Sequence, residues 1–207
     1  VKGPLLTPAS LADADARGAP TVTRDPNGSK AFARGAMGLG VAVGLGEVGL
    51  EMVTQDVIAK DMALFSAVAS TSAGGELTKC EVLLFGNSPK ATSAFRIGHA
   101  VLKDAIDAAG VKAALISAGL RPDASGGFDP DAIVGVFAKA EASPTGRIRG
   151  RRNTMLSDAD ISYERHARAA VGAVIASITG DPAIFVSGGT EHQCGPGEAP
   201  IAAIVRA

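Results

Sequence analysis

The sequence predicts an α/β fold in which strands and helices alternate along the chain and one structural module occurs twice. Short apolar runs of strand length are separated by stretches whose apolar residues recur at helical spacing, a pattern typical of this fold class. Three polar landmarks also recur in the same order in the two halves of the chain. The two halves are therefore expected to be homologous repeated domains.

The composition disfavours several classes of function. Among 207 residues, 20 are basic and 21 are acidic, whereas an electrostatic nucleic-acid binder needs a basic surplus. The longest uncharged apolar run, 35–46, is far shorter than the ~20 residues that cross a bilayer, so no membrane partner is expected. Cys80 and Cys194 are too few for a disulfide scaffold and fit a reducing compartment, which predicts a cytoplasmic protein.

The first half of the chain is predicted to contain one long helix among short strands. The helix, at 30–45, includes Gly35, Gly38, Gly40 and Gly44. Each glycine costs up to ~1 kcal/mol of helix propensity, so we expect another backbone to pack closely against these positions. The other predicted elements are a strand at 1–6, helical turns at 9–16, a turn at 70–75, and strands at 48–53, 62–69 and 79–85.

The second half is predicted to alternate helices and strands. Apolar residues at helical spacing predict a helix at 93–109. Ser157 and Asp160 are spaced like a capping box that opens a second helix, which ends at residue 178. Strands are predicted at 111–116, 133–142, 183–186 and 200–205, with a glycine-rich turn at 187–199.

Each copy of the repeat contains a lysine in a strand, an arginine in a helix and a serine in a glycine-rich loop. The helix segments 34–42 and 168–176 align, and each begins with its arginine. The loop segments 72–76 and 187–191 align as well, and each ends in glutamate. The landmark residues are Lys2, Arg34 and Ser72 in the first copy and Lys139, Arg168 and Ser187 in the second.

The second copy begins with elements that the first copy lacks. Residues 93–138 precede Lys139, whereas Lys2 lies at the start of the chain. If the repeats carry the same elements, the first copy lacks about 45 residues. We therefore expect two domains, at 1–90 and 91–207, of which the first is truncated at its N-terminus.

Lysine, arginine and serine on separate elements suit the chemistry of acyl transfer. Serine is a weak nucleophile until a base removes its proton, and a neutral lysine can be that base. Arginine and the backbone N–H groups of a glycine-rich turn can stabilise the negative oxygen that forms at the attacked carbonyl. The same residue types are also compatible with surface charges and turn positions that carry no chemistry.

Four segments of the chain resemble a known family. They are KGPLLT at 2–7, RGRRNTM at 149–155, RHARA at 165–169 and FVSGGTEHQ at 185–193. Their sequences are similar to the cyanuric acid amidohydrolase and barbiturase family of ring-opening amidohydrolases. The resemblance implies three homologous domains with pseudo-threefold symmetry, of which this chain would contain most of the second and all of the third. The first domain would be absent.

The resemblance also implies roles for the landmark residues. Lys2 would be the general base and Ser72 the nucleophile. Lys139 would be the partner of Ser187 in the third domain. The implied substrate-binding residues are Arg34, Ser72, Ala73, Lys139, Arg168, Ser187 and Gly188.

The reaction that the resemblance implies is the hydrolytic opening of cyanuric acid, a step of s-triazine degradation. It yields carboxybiuret, which loses carbon dioxide to give biuret. Two alternatives stay open: a barbiturase, which opens a barbiturate ring, and a repeat protein that binds a small molecule without catalysis. The expected partners are a small cyclic amide, the absent N-terminal domain and further copies of the chain in a homotetramer.

The resemblance implies no catalytic cofactor but does imply a structural metal site in the third domain. One glutamate and several backbone or amide oxygens would form the site, and Mg²⁺ or Ca²⁺ suits such ligands. The corresponding residues are Glu141, Thr190, Gln193, Cys194, Gly195 and Glu198.

Overall fold

The computed structural model describes residues 1–143, 145–152 and 163–206, and its mixture of helices and strands confirms the predicted α/β class. The helices are α1 (Pro8–Ala16), α2 (Ser29–Gly44), α3 (Ala108–Ser117) and α4 (Tyr163–Thr179). The strands are β1 (Lys2–Pro4), β2 (Ser72–Gly74), β3 (Phe95–Leu102), β4 (Ile133–Ala140), β5 (Arg147–Ile148), β6 (Arg151–Arg152), β7 (Phe185–Gly188) and β8 (Ala199–Arg206). None of the helices in the described ranges is long and apolar enough to cross a membrane.

The chain forms two compact units. The first unit comprises Val1–Leu83 and Thr190–Pro196, and the second comprises Leu84–Gly189 and Gly197–Ala207. A segment from near the end of the chain, Thr190–Pro196, is thus part of the first unit. The division into homologous domains at 1–90 and 91–207 stays a prediction.

In the first unit, a helix packs against a pair of short parallel strands. β1 and β2 pair over three residues, with Lys2 opposite Ser72. β2 lies within the region predicted as a turn, because a three-residue strand leaves too little pattern to be found in a sequence. α2, at Ser29–Gly44, agrees with the predicted helix and packs against both strands.

The strands predicted at 48–53, 62–69 and 79–85 are wrong. The first region contains a 3₁₀ turn, and in the other two the described residues form only isolated bridges. Backbone groups at 62–69 bond to the segment 192–194 and to the Glu47 side chain instead of to a neighbouring strand. The apolar side chains of 82–85 are exposed, so their hydrophobicity does not mark a buried strand.

In the second unit, two helices pack against a four-stranded sheet. The strand order is β3–β8–β4–β7, in which β8 runs antiparallel to both of its neighbours and β4 is parallel to β7. α3 packs against β3 and β8, and α4 packs against β4 and β7. The strands predicted at 133–142, 183–186 and 200–205 correspond to β4, β7 and β8. The buried core includes Leu102, Leu115, Val136, Val171 and Ile201.

The helix predicted at 93–109 and the strand predicted at 111–116 are also wrong, since the structure has β3 in the first region and α3 in the second. Gly98 allows the end of α3 to cross β3, because a Cβ atom there would lie 2.0 Å from the Ala118 nitrogen. Asp107 begins α3 by accepting a hydrogen bond from the Gly110 amide. An aspartate at position 107 is a sequence signal for a helix that begins after it. The helical spacing of apolar residues at 93–109 obscures that signal.

The helix predicted to end at residue 178 agrees with α4, which ends at Thr179. Its proposed capping box, Ser157 and Asp160, lies outside the described residues. The helix packs its buried residues Ala167, Val171 and Ile175 into the core of the second unit.

Two of the four glycines in α2 have the close neighbour that we expected. A Cβ atom on Gly35 would lie 2.8 Å from His192 Cδ2 and 3.3 Å from the Ala59 main-chain nitrogen, and one on Gly38 would lie 2.9 Å from the His192 carbonyl oxygen. The expectation is wrong for Gly40 and Gly44, around which no described atom lies within 4 Å of the added carbon. The face of α2 that carries Gly35 and Gly38 is therefore the one that another backbone approaches.

Alanine substitutions on α2 are expected to change stability in opposite directions. Gly38→Ala should lower the free energy of unfolding by about 1–3 kcal/mol, because its methyl group would meet main-chain oxygens of Glu191 and His192. Gly40→Ala should raise the free energy of unfolding by up to ~1 kcal/mol, because alanine favours the helix and the site is open. Denaturant unfolding of both variants checks this, and a change of the same sign in both would contradict the packing described.

Candidate active site

Each copy of the repeat places its lysine beside its serine on neighbouring parallel strands. Lys2 is the register partner of Ser72 in the β1–β2 pair, and Lys139 is the register partner of Ser187 in the β4–β7 pair. Register partners on adjacent strands direct their side chains to the same face of a sheet. A lysine and a serine are therefore neighbours in both copies, although the serines are 70 and 48 residues further along the chain.

In the second copy the amine reaches the hydroxyl directly. Lys139 is only 1% exposed. Its Nζ atom donates to Ser187 Oγ at 3.4 Å and to the Gly188 carbonyl oxygen at 3.0 Å. A buried amine in contact with a serine hydroxyl is the arrangement that a lysine-activated serine nucleophile requires.

In the first copy the lysine binds a carboxylate. The Nζ atom of Lys2, whose side chain is about half exposed, donates to Glu76 Oε1 at 2.7 Å. The hydrogen bond from Lys2 lowers the pKa of the Glu76 carboxyl group below its usual value, with a smaller contribution from a backbone hydrogen bond. Ser72 is held beside Lys2 by β-sheet pairing, in which its amide donates to the Val1 carbonyl oxygen at 3.0 Å. Ala73 follows Ser72 in β2.

The arginine of the first copy forms a two-contact ion pair with a carboxylate. Arg34 Nε donates to Glu191 Oε2 at 2.7 Å, and Arg34 Nη2 donates to Glu191 Oε1 at 2.5 Å. Both side chains are 17% exposed, so the pair is largely shielded from solvent. Glu191 stands four residues after Ser187, as Glu76 stands four residues after Ser72. The same position of the repeat thus binds a lysine in one case and an arginine in the other.

The arginine of the second copy lies against the glycine that follows the serine. The Nη1 atom of Arg168 is 3.2 Å from the position that a Cβ atom on Gly188 would occupy. A larger residue at 188 would therefore press on the guanidinium. The second unit in this way brings together Lys139, Ser187, Gly188 and Arg168, four of the residues predicted for the site.

His192 holds the turn after β7 in place, a contact that the sequence did not predict. Its ring is fully buried; the Ala59 amide donates to Nε2 at 2.8 Å, and Nδ1 donates to the Leu64 carbonyl oxygen at 2.6 Å. Because Nε2 accepts, the ring carries its proton on Nδ1. His192 lies next to Glu191 in the motif at 185–193, so its place in that motif was the available signal.

Gln193 holds the backbone that leads into the first serine. Its Oε1 atom accepts a hydrogen bond from the Thr71 amide at 2.6 Å, one residue before Ser72. The Thr71 hydroxyl in turn donates to the Arg34 carbonyl oxygen at 3.1 Å. Gln193 therefore links the turn that carries Glu191 to both the helix and the strand of the first copy.

Three of the six predicted metal ligands have side chains that bond to other groups. Gln193 accepts from Thr71, the Cys194 thiol donates to the Ala67 carbonyl oxygen, and Glu198 pairs with Lys103. Among the residues that the structure describes, no three His, Cys, Asp or Glu side chains gather in a way that could hold a metal ion. A site at these positions would depend on main-chain oxygens and Glu141, and the ligand set stays a prediction.

A comparison with protein families identifies the class of the chain. A family model described as "amidohydrolase ring-opening protein" matches residues 1–206. The chain therefore belongs to the family of ring-opening amidohydrolases, as the resemblance at 2–7, 149–155, 165–169 and 185–193 predicted.

Individual relatives within this family carry several names. The chain is 77% identical to a cyclic amide hydrolase of Azorhizobium caulinodans and 52% identical to a cyanuric acid amidohydrolase of Bradyrhizobium diazoefficiens, with all of this chain aligned in both cases. It is 44% identical, over 99% of its length, to barbiturase 1 of a Nocardioides species. The chain spans only 55–57% of the length of these relatives.

A solved structure of a cyanuric acid hydrolase has the same fold. The TM-score is 0.84 and the sequence identity is 46%, and the match covers all of this chain and 56% of that one. That protein is described as an evolutionary innovation by structural concatenation. This chain therefore has the α/β architecture of a little more than half of that cyanuric acid hydrolase.

Breaking the Arg34–Glu191 pair is expected to destabilise the protein. Glu191→Gln should lower the free energy of unfolding by about 2–4 kcal/mol, because it leaves a largely buried guanidinium without its carboxylate. Asp13→Asn removes the exposed Arg17–Asp13 pair and is the matched control, for which a loss of less than about 1 kcal/mol is expected. Denaturant unfolding measures both, and equal effects would contradict the role given to Glu191.

Proposed function

We propose that this chain contributes catalytic residues to an enzyme that opens a cyclic amide by hydrolysis, with a lysine-activated serine as the nucleophile. The observation that carries the proposal is the pairing of lysine with serine in the same parallel register in both copies. Its relatives named cyclic amide hydrolase and cyanuric acid amidohydrolase support the reaction class.

The proposed reaction begins with transfer of the Ser72 hydroxyl proton to the neutral amine of Lys2. The Ser72 oxygen attacks a ring carbonyl, and backbone N–H groups and arginine stabilise the negative oxygen that forms. The ring C–N bond then breaks, and the departing nitrogen takes the proton back from Lys2. Water hydrolyses the resulting acyl-enzyme and regenerates Ser72.

Cyanuric acid is the ring that we propose as substrate, within s-triazine degradation. This ring has three equivalent carbonyl groups and three N–H groups, so repeated clusters of Arg, Ser and Lys match its symmetry. Hydrolysis adds one water to give carboxybiuret, which releases carbon dioxide and leaves biuret. Opening of barbiturate is the second candidate, favoured by the 44% identity to barbiturase 1. Turnover assays of the full-length protein with the two rings distinguish these candidates.

The choice between the two lysine–serine pairs has to be tested directly. The Nζ atom of Lys2 must leave Glu76 before it can reach Ser72, whereas Lys139 already contacts Ser187. The equivalent carboxylate, Glu191, binds Arg34 and leaves Lys139 with its serine. We propose Lys2 and Ser72 as the catalytic pair because the resemblance to ring-opening amidohydrolases implies these roles, with Lys139 and Ser187 binding the substrate.

Serine variants of the full-length protein test this assignment. Ser72→Ala should lower kcat by at least about 10³-fold, because it removes the nucleophile. Ser187→Ala should mainly raise KM, by about tenfold, because it removes one contact to the substrate. Ser88→Ala, an exposed hydroxyl outside both strand pairs, is the control and should leave turnover unchanged.

Two outcomes would contradict the assignment. Loss of turnover in Ser187→Ala with retention in Ser72→Ala would move the nucleophile to the second pair. Unchanged turnover in both variants would rule out either serine as the nucleophile.

We further propose a structural Mg²⁺ or Ca²⁺ ion at Glu141 and the turn from Thr190 to Glu198. Removal of the ion by chelation should lower the melting temperature of the full-length protein, because the cation would neutralise and order oxygen donors of the turn. Elemental analysis after dialysis should find about one divalent ion per chain. A metal-free protein with full stability would contradict the site.

We also propose that the enzyme is a cytoplasmic homotetramer that includes a further N-terminal domain. The free cysteines Cys80 and Cys194 support a reducing compartment, and the greater length of the relatives supports the further domain. Light scattering of the full-length protein would measure its oligomeric state.

A further inference from the structure

The turn that leads into α2 contains an asparagine followed by a glycine. Asn27 and Gly28 are both exposed, and Gly28 is the residue immediately before the helix. This dipeptide is chemically reactive, because the glycine nitrogen can attack the side-chain amide carbon of the asparagine without hindrance from a Cβ atom. The polar groups that surround the dipeptide therefore determine how fast the attack occurs.

The nitrogen that would attack donates its hydrogen to a carboxylate. The Gly28 amide donates to Asp25 Oδ2 at 2.9 Å, and the Asn27 amide donates to Asp25 Oδ1 at 2.9 Å. The carboxylate is thus held against the N–H bond that must lose its proton before the nitrogen attacks. A carboxylate within hydrogen-bond reach of a departing proton can act as a general base.

The amide oxygen of Asn27 accepts a hydrogen bond from a cation. Lys30 Nζ donates to Asn27 Oδ1 at 2.9 Å, and the Lys30 amide donates to the Asn27 carbonyl oxygen at 3.2 Å. Negative charge develops on Oδ1 when a nitrogen attacks the amide carbon. A positively charged donor that already points at this oxygen stabilises the transition state of the attack.

Another asparagine of the chain has a different environment. The chain contains three asparagines, of which Asn153 lies outside the described residues. Asn87 is exposed like Asn27, but its Oδ1 accepts from the Ile97 amide at 3.0 Å and its Nδ2 donates to the Ile97 carbonyl oxygen at 2.7 Å. The next residue is Ser88, whose side chain hinders attack by its nitrogen. Asn87 is therefore an internal reference for Asn27.

We propose that Asn27 is a site of spontaneous deamidation whose rate is raised by Asp25 and Lys30. The Gly28 nitrogen forms a bond to Asn27 Cγ as its proton passes to the Asp25 carboxylate. The bond between Cγ and Nδ2 then breaks, and Nδ2 leaves as ammonia with the proton that Asp25 returns. Water adds to either carbonyl group of the resulting five-membered imide, which leaves aspartate or isoaspartate at position 27.

Isoaspartate would disturb the start of α2, because it adds one carbon to the main chain at position 27. Ser29 is only 2% exposed. Its hydroxyl donates to the Pro26 carbonyl oxygen at 2.7 Å and accepts from the Leu6 amide at 3.1 Å. The contact with Pro26 spans the modified position. We therefore expect the melting temperature of the protein to fall as isoaspartate accumulates.

Ageing of the folded full-length protein at mildly alkaline pH measures the reaction. Peptide mapping by mass spectrometry gives the deamidated fraction at each asparagine, and an isoaspartyl methyltransferase labels the isoaspartate. We expect Asn27 to react at least about tenfold faster than Asn87. It should also react about threefold faster than in a free peptide of residues 23–31, in which Asp25 and Lys30 are not held in place.

Substitutions of the two charged residues test their roles. Asp25→Asn should slow the reaction about tenfold, because a side-chain amide does not take up the proton. If Asp25 only kept the nitrogen away from the amide carbon, the same substitution would speed the reaction. Lys30→Met should slow the reaction about threefold, because it removes the donor to the amide oxygen. Lys60→Met removes a lysine that is exposed elsewhere and should leave the rate unchanged.

A variant that cannot cyclise readily tests the effect on stability. Gly28 has a φ of −61°, which alanine also adopts, and an added Cβ atom would lie 3.2 Å from the movable Asp25 Oδ2 atom. Gly28→Ala should therefore fold, and its methyl group should slow the attack at least about tenfold. Its melting temperature should stay constant during ageing, whereas that of the unsubstituted protein should fall.

Faster reaction at Asn27 than at Asn87 and in the peptide, together with slower reaction in Asp25→Asn and Lys30→Met, supports the proposal. A slower reaction in the folded protein than in the peptide would overturn it, as would a faster reaction in Asp25→Asn. None of these measurements involves turnover, so their outcome is independent of the proposed hydrolysis.

Discussion

The candidate site depends on the register of two parallel strand pairs. A shift of one residue in either pair would send the lysine and the serine to opposite faces of the sheet. β1 and β2 are three residues long, so contacts outside the pair help to fix their register. The two hydrogen bonds between Lys2 and Glu81 hold one strand, and the Thr71 contacts with Gln193 and Arg34 hold the other.

The carboxylate four residues after each serine binds a different partner in the two copies. Glu191 is engaged by Arg34, and the lysine of its own copy, Lys139, remains with Ser187. Glu76 instead accepts a hydrogen bond from Lys2, the lysine of its own copy.

The sequence predicted the parts of the fold that carry a long pattern or a repeated landmark. α2, α4, β4 and β8 each span at least eight residues, and the aligned Lys, Arg and Ser residues occur twice. The failures have physical causes. β2 is too short to show a period, and β3 carries apolar residues whose spacing also fits a helix. The position of the His192 ring depends on hydrogen bonds to Ala59 and Leu64, and no local sequence pattern predicts these distant contacts.

The glycines of α2 show that a sequence can predict a close contact without identifying the segment that makes it. Gly35 and Gly38 were expected to have a backbone close by, and they do. The sequence did not reveal that the neighbour of Gly38 is the turn after β7, because that contact joins residues more than 150 positions apart. Gly40 and Gly44 have no such contact in the described structure, so their presence in the helix is unexplained.

Identification of the residue that becomes acylated tests the central claim most directly. The full-length protein would be mixed with cyanuric acid, quenched with acid within the first turnover, and digested for peptide mapping by mass spectrometry. The proposed mechanism predicts that a ring-derived acyl group is attached to the peptide that contains Ser72. An acyl group on another residue would contradict the mechanism. Turnover with no covalent adduct, under conditions that trap an adduct in a slowed variant, would contradict the mechanism as well.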